Sequence, residues 1–67
     1  MILKECLKLI RTDESISIYD PLTNLYLSHE KFKEDYNGEY DNCKITGVET
    51  NLTSSGYPVL EIHIFAQ

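Results

Sequence analysis

Within the segment Tyr57 to Ala66, apolar and polar side chains alternate without a break from Leu60 to Ile64. Leu60, Ile62, Ile64 and Ala66 share one face, and Val59, Glu61, His63 and Phe65 share the other. Successive side chains of a β-strand point to opposite sides, so this segment is a strand with one apolar and one mixed face. Such a strand is not stable alone. It needs neighbouring strands and a cover for its apolar side, and the rest of the chain is read for those parts.

Cys43 to Thr50 supplies the nearest partner. Its alternation slips between Ile45 and Val48, and Gly47 stands at the slip. A glycine inside a strand often marks a bulge, which here would turn both apolar side chains toward the core. The polar segment Asn51–Gly56 then closes a hairpin with the last strand. Upstream, Ile16 and Ile18 alternate with Ser15, Ser17 and Tyr19, and Leu25-Tyr26-Leu27 resumes the alternation. Between them Asp20-Pro21-Leu22-Thr23-Asn24 is a turn, since proline presets φ and Asp and Asn bond their own backbone. These make a first hairpin.

The cover comes from the N-terminus. Ile2, Leu3, Cys6, Leu7 and Ile10 recur at spacings of three and four, which places them on one helix face, with Lys4, Glu5, Lys8 and Arg11 opposite. Residues 28–36 carry the signals of a short second helix, with Ser28 as cap, Glu30 in the first turn, Phe32 and Tyr36 four apart and Asn37-Gly38 as the stop. A loop is the alternative for that stretch. The expected fold is therefore α+β, in the order α-β-β-(α)-β-β. An N-terminal helix packs on a mainly antiparallel four-stranded sheet, and residues 1–67 form a single domain. The expected core is Leu3, Leu7, Ile10, Ile16, Ile18, Ile45, Leu60, Ile62 and Ile64.

Eleven Asp and Glu against six Lys and Arg give a formal net charge of -5. That balance argues against direct contact with nucleic acid or an anionic membrane, both of which recruit Lys and Arg to phosphate. It suits a basic protein partner. Lys4, Glu5 and Lys8 interrupt the N-terminal apolar residues where a signal peptide needs an unbroken run, and no stretch approaches a membrane span. The expected location is the cytoplasm. Cys6 and Cys43 belong to no CxxC pair and are read as buried free thiols. Asn51-Leu52-Thr53 matches a glycosylation acceptor, which has no meaning without secretion.

The chain has few parts for other chemistry. Asp35, Asn37 and Gly38 fit positions three, five and six of an EF-hand loop, but Lys33 and Lys44 would fall at its first and last ligand positions, where carboxylates are required. Zinc would have to gather Cys6, Cys43, His29 and His63 from four separate segments, without the paired spacings of structural sites. No metal and no cofactor are expected. No phosphate loop, dinucleotide fingerprint, nucleophile elbow or HExxH occurs. Glu61 and His63 share a strand face, as an orienting acid and a base could, but a structural or interface pair is the commoner arrangement. The expectation is a non-enzyme.

Two surfaces stand out. The run Glu30–Asp41 holds Glu30, Glu34, Asp35, Glu39 and Asp41 against Lys31 and Lys33, interleaved with Phe32, Tyr36 and Tyr40. Clustered carboxylates steer toward basic surfaces, and tyrosines supply rigid contact area. The expected protein-binding residues are Glu34, Asp35, Tyr36, Glu39, Tyr40 and Asp41. Val59, Glu61, His63 and Phe65, on the outer face of the last strand, form a secondary candidate interface.

The opening Ile2-Leu3-Lys4-Glu5-Cys6-Leu7, the strand Ile16-Ser17-Ile18-Tyr19-Asp20 and the closing Val59-Leu60-Glu61-Ile62-His63-Ile64 together resemble a loose class of short uncharacterised proteins carried by phages and mobile elements of Gram-positive bacteria. The resemblance implies an accessory protein of the anti-defence type, which binds a basic host protein stoichiometrically and inhibits it. A self-associating accessory protein, such as a homodimer, is the alternative. A minimal enzyme is the third reading.

Overall fold

The structure, a computed structural model, describes residues 1–66. Helix α1 spans Leu3–Leu7, followed by strands β1 (Ile16–Asp20), β2 (Leu25–Glu30), β3 (Lys44–Leu52) and β4 (Pro58–Phe65), with one 3-10 turn at Lys33–Asp35. The strands form one sheet in the order β2-β1-β4-β3. The two hairpins are antiparallel, as their short connections require, but β1 and β4 lie side by side in parallel at the centre. The sheet is thus mixed. None of the described helices is long and apolar enough to cross a membrane.

The alternation of β4 sets the core. Ile62 and Ile64 are fully buried together with Ile16, Ile18 and Leu3, and Leu7 completes the cluster. Ile10, Ile45 and Leu60 pack against it partly buried. The bulge at Gly47 is present: Ile45 pairs with Ile64, Thr46 is the extra residue, and Gly47 pairs with His63. It brings Val48 opposite Ile62, yet Val48 stays 49% exposed, because β3 is the outer strand of the sheet.

The turn between β1 and β2 follows its sequence. Asp20 is buried, and its carboxylate accepts the Leu22 N–H (3.0 Å) and the Thr23 hydroxyl (2.9 Å). Asn24 adopts φ 59°, a left-handed conformation that Asn tolerates.

Helix α1 is shorter than its apolar spacing predicts. It ends at Leu7, and the next bonds, Leu9 N–H to Cys6 O and Ile10 N–H to Leu7 O, reach back only three residues, tightening the chain out of the α-helix. Its first turn is tied down by Cys43 and Asp41, whose carbonyls accept the Leu3 and Lys4 N–H groups at 2.9 Å. Glu5 reaches back to the Ile2 N–H at 3.1 Å.

The second helix expected over residues 28–36 is not there. β2 continues to Glu30, with His29 paired to Ser17 and Glu30 to Ile16. The ladder with β1 satisfies the backbone groups that a helix capped by Ser28 would have bonded internally, and so short a helix is marginal without that competition. Only Lys33–Asp35 forms one 3-10 turn. The connection from β2 to β3 then joins the second layer: Tyr36, Tyr40 and Cys43 pack against the core cluster. Lys33 and Glu34 donate backbone N–H groups to the carbonyls of Glu14 (2.7 Å) and Thr12 (3.1 Å).

Candidate functional site

The acidic run lies on the connection just described. Lys33 is turned away from it: its Nζ donates to the carbonyls of Leu7 (2.9 Å) and Ile10 (3.0 Å). The Leu7 carbonyl ends α1, where the helix dipole favours a cation, and the Ile10 carbonyl lies three residues beyond it. Lys31 sits 5.7 Å from the centre of the Phe32 ring. Glu34, Asp35 and Glu39 are exposed and Asp41 is half-buried. Among the described residues the ion pairs are Arg11–Asp13, His63–Glu49 and His63–Glu61, so no carboxylate of this run is in one.

The tyrosines of the run have a different role from its carboxylates. Tyr36 and Tyr40 are half-buried against the core, and the Tyr36 hydroxyl accepts the Tyr40 N–H at 2.6 Å. Burial pushes the Tyr36 phenol up to about 12. The turn between them is fixed by Asn37, whose side chain accepts the Glu39 N–H at 3.0 Å, and by Gly38 at φ 85°. A Cβ on Gly38 would lie 3.1 Å from the Asp41 carboxylate. The predicted residues are therefore neighbours on one braced loop, with tyrosines that anchor it and carboxylates that it displays.

The secondary candidates lie on the face of the sheet opposite the isoleucine core. Ser17 pairs with Glu61, and Tyr19 with His63, across β1 and β4. His29 and Tyr26 extend these rows on β2, and Glu49 and Gly47 on β3. Val59 and Glu61 are buried (6% and 5% exposed), whereas Phe65 is 41% exposed. Glu61 has partners on both oxygens: Tyr26 OH donates to Oε1 at 2.7 Å, and His63 Nε2 lies 2.8 Å from Oε2. Burial pushes the Glu61 carboxyl up, but the hydrogen bonds from His63 and Tyr26 outweigh burial and hold it below the usual value. The same bond pushes the Tyr26 phenol up.

Glu49 joins this pair, with Oε1 3.5 Å from His63 Nε2. The Tyr19 ring packs 4.7 Å from Tyr26 and 5.1 Å from His63, centre to centre. Beside the cluster an open groove of about 570 Å³ runs between Tyr26, His29, Tyr57 and the 51–55 loop. Ser17 Oγ lies 2.7 Å from His29 Nδ1, so the one serine–histidine contact of this face pairs Ser17, itself only 5% exposed, with His29 and leaves His63 to the carboxylates. The histidines and cysteines do not assemble. Among the described residues the one group of three metal-capable side chains is Glu49, Glu61 and His63. The sequence showed the Glu61–His63 half of it through their i, i+2 spacing; Glu49 depends on the cross-strand register.

Compared with protein-family models, with curated proteins and with solved structures, the chain matches none.

Proposed function

We propose that this chain is a small acidic protein-binding module that docks a basic protein through the loop Glu34–Asp41. The observation that carries the reading is the placement of Lys33. The nearest lysine in sequence is committed to the Leu7 and Ile10 carbonyls, and Glu34, Asp35 and Glu39 are exposed and, among the described residues, in no ion pair. A cluster of like charge raises the local potential and speeds encounter with a positive surface. The loop is also pre-ordered by Tyr36, Tyr40, Asn37 and Gly38, which lowers the entropy lost on docking. On this reading the protein acts stoichiometrically by occupying a basic surface of its partner. Inhibition of a host protein by a phage or mobile-element accessory protein is the biological form that the resemblance implies.

The test is a titration of the ¹⁵N-labelled protein with an arginine-rich peptide, followed residue by residue. Shifts concentrated at 34–41 that vanish as salt is raised support the reading. Shifts centred on Tyr26, Glu61 and His63 instead would move the docking surface to the open sheet face, and no saturable shift would remove the reading.

Self-association is a second reading, favoured by the outer strand β3, where Val48 and Leu52 are 49% and 71% exposed. An unprotected edge is a template for pairing with another chain. Sedimentation that shows a monomer at high protein concentration would eliminate it.

A further inference from the structure

The open face of the sheet carries a chemistry that protein docking does not use. His63 Nε2, one oxygen of Glu61 and one of Glu49 lie within 4.8 Å of one another. We infer that Glu49, Glu61 and His63 form a binding site for a zinc-class divalent cation, with at least one coordination position left open.

The two separations from His63 Nε2 suit such an ion. Ligands held about 2.0–2.2 Å from a tetrahedral zinc are about 3.3–3.6 Å apart. His63 Nε2 is already 3.5 Å from Glu49 Oε1, and it need move only slightly from its present 2.8 Å separation from Glu61 Oε2. The donor set selects the ion class. One imidazole and two carboxylates match zinc and its transition-metal neighbours, whereas calcium and magnesium prefer oxygen ligands alone.

The support around the ligands is also in place. Glu61 is 5% exposed on the central strand β4. Tyr26 OH holds its Oε1 at 2.7 Å, leaving Oε2 aimed at His63, and an outer hydrogen bond of this kind fixes the orientation of a metal ligand. The His63 ring is set by Tyr19 at 5.1 Å. Its register partner on β3 is Gly47, and even an added Cβ there would come no nearer than 3.9 Å to Nδ1. Glu49 is the exposed arm, with a side chain 56% exposed, and would close onto the ion from β3. This site is independent of the docking loop, and its test needs no partner protein.

The experiment is a zinc titration of the full chain by calorimetry and by imidazole ¹⁵N spectra, with magnesium and calcium as controls. The expected result is 1:1 binding that shifts the His63 Nε2 resonance, with neither control ion displacing it. Glu49→Gln should weaken binding at least tenfold, His63→Gln should abolish it, and Tyr26→Phe should weaken it severalfold. His29→Gln should leave it unchanged. An unmoved His63 resonance, or an affinity indifferent to Glu49→Gln, overturns the inference, as does loss of binding in His29→Gln. Because Glu49 is exposed, its variant decides the matter even if His63→Gln fails to fold.

Discussion

Truncation of Ile62 to Ala tests the strand phase on which the fold rests. Ile62 is fully buried at the centre of the sheet, paired with Ile18 on one side and Val48 on the other. Removing three buried carbons at ~0.8 kcal/mol each forfeits about 2.4 kcal/mol of transfer free energy. The cavity left behind adds to that, giving a loss of ~2–5 kcal/mol in all. A chain of this length has roughly 3–10 kcal/mol of total stability, so the variant should approach the unfolding threshold. At ~4–8 °C per kcal/mol for a domain of this size, its melting temperature should fall by at least ~8 °C. Val48→Ala is the internal control, since Val48 shares the core face but is 49% exposed, and its loss should stay below about 1.5 kcal/mol. Chemical denaturation followed by far-UV circular dichroism measures both. Equal losses at the two positions, or a melting temperature unmoved in Ile62→Ala, would refute the assigned phase.

Three further outcomes follow from particular side chains. Lys33→Met keeps the aliphatic stem but removes the amino group from the Leu7 and Ile10 carbonyls, and should lower stability by about 1–2 kcal/mol in denaturant melts. Glu61 is held below the usual carboxylate range, so its contribution is present above an unfolded value of ~4.3 and is lost as pH falls through the folded one. Melts against pH should show that acid loss shrink in Glu61→Gln. The Tyr36 phenol, pushed up to about 12 by burial, favours the fold below an unfolded value of ~10 and loses that contribution as pH rises through the folded one. Tyr26 is also pushed up, but ultraviolet titration should find the last tyrosine step near 12, and Tyr36→Phe should remove that step.

The parts of the fold legible in the sequence are those governed by local period. The alternation of β4 places Ile62 and Ile64 in the core, and Gly47 marks the bulge that keeps Ile45 and Val48 on one face. Residues 28–36 were misleading because Phe32 and Tyr36, four apart beside a capping serine, mimic a helix. Pairing of His29 and Glu30 with β1 decided the matter, and such pairing carries no local signal. The site divides in the same way. Clustered carboxylates and the Glu61–His63 spacing are visible in the chain. The reach of Lys33 to Leu7 and Ile10 across 26 and 23 residues is not visible, and neither is the arrival of Glu49 from the neighbouring strand. Both are tertiary facts, set by register and by where the connection crosses the core. The same crossing commits Tyr36 and Tyr40 to packing and leaves the carboxylates as the displayed groups of that loop.

The docking proposal rests on uncompensated charge at Glu34, Asp35 and Glu39, and association kinetics test that most directly. The wild-type chain and a variant with these three residues changed to Lys would be compared against a basic protein partner across a range of ionic strength. Exposed charges are screened beyond ~8 Å at physiological salt, so the wild-type association rate should fall steeply as salt rises. The variant should associate at least tenfold more slowly at low salt, with a flat or inverted salt dependence and an unchanged circular dichroism spectrum. Rates indifferent to both salt and charge reversal would contradict the account, and the face formed by Val59, Glu61, His63 and Phe65 would become the surface to test.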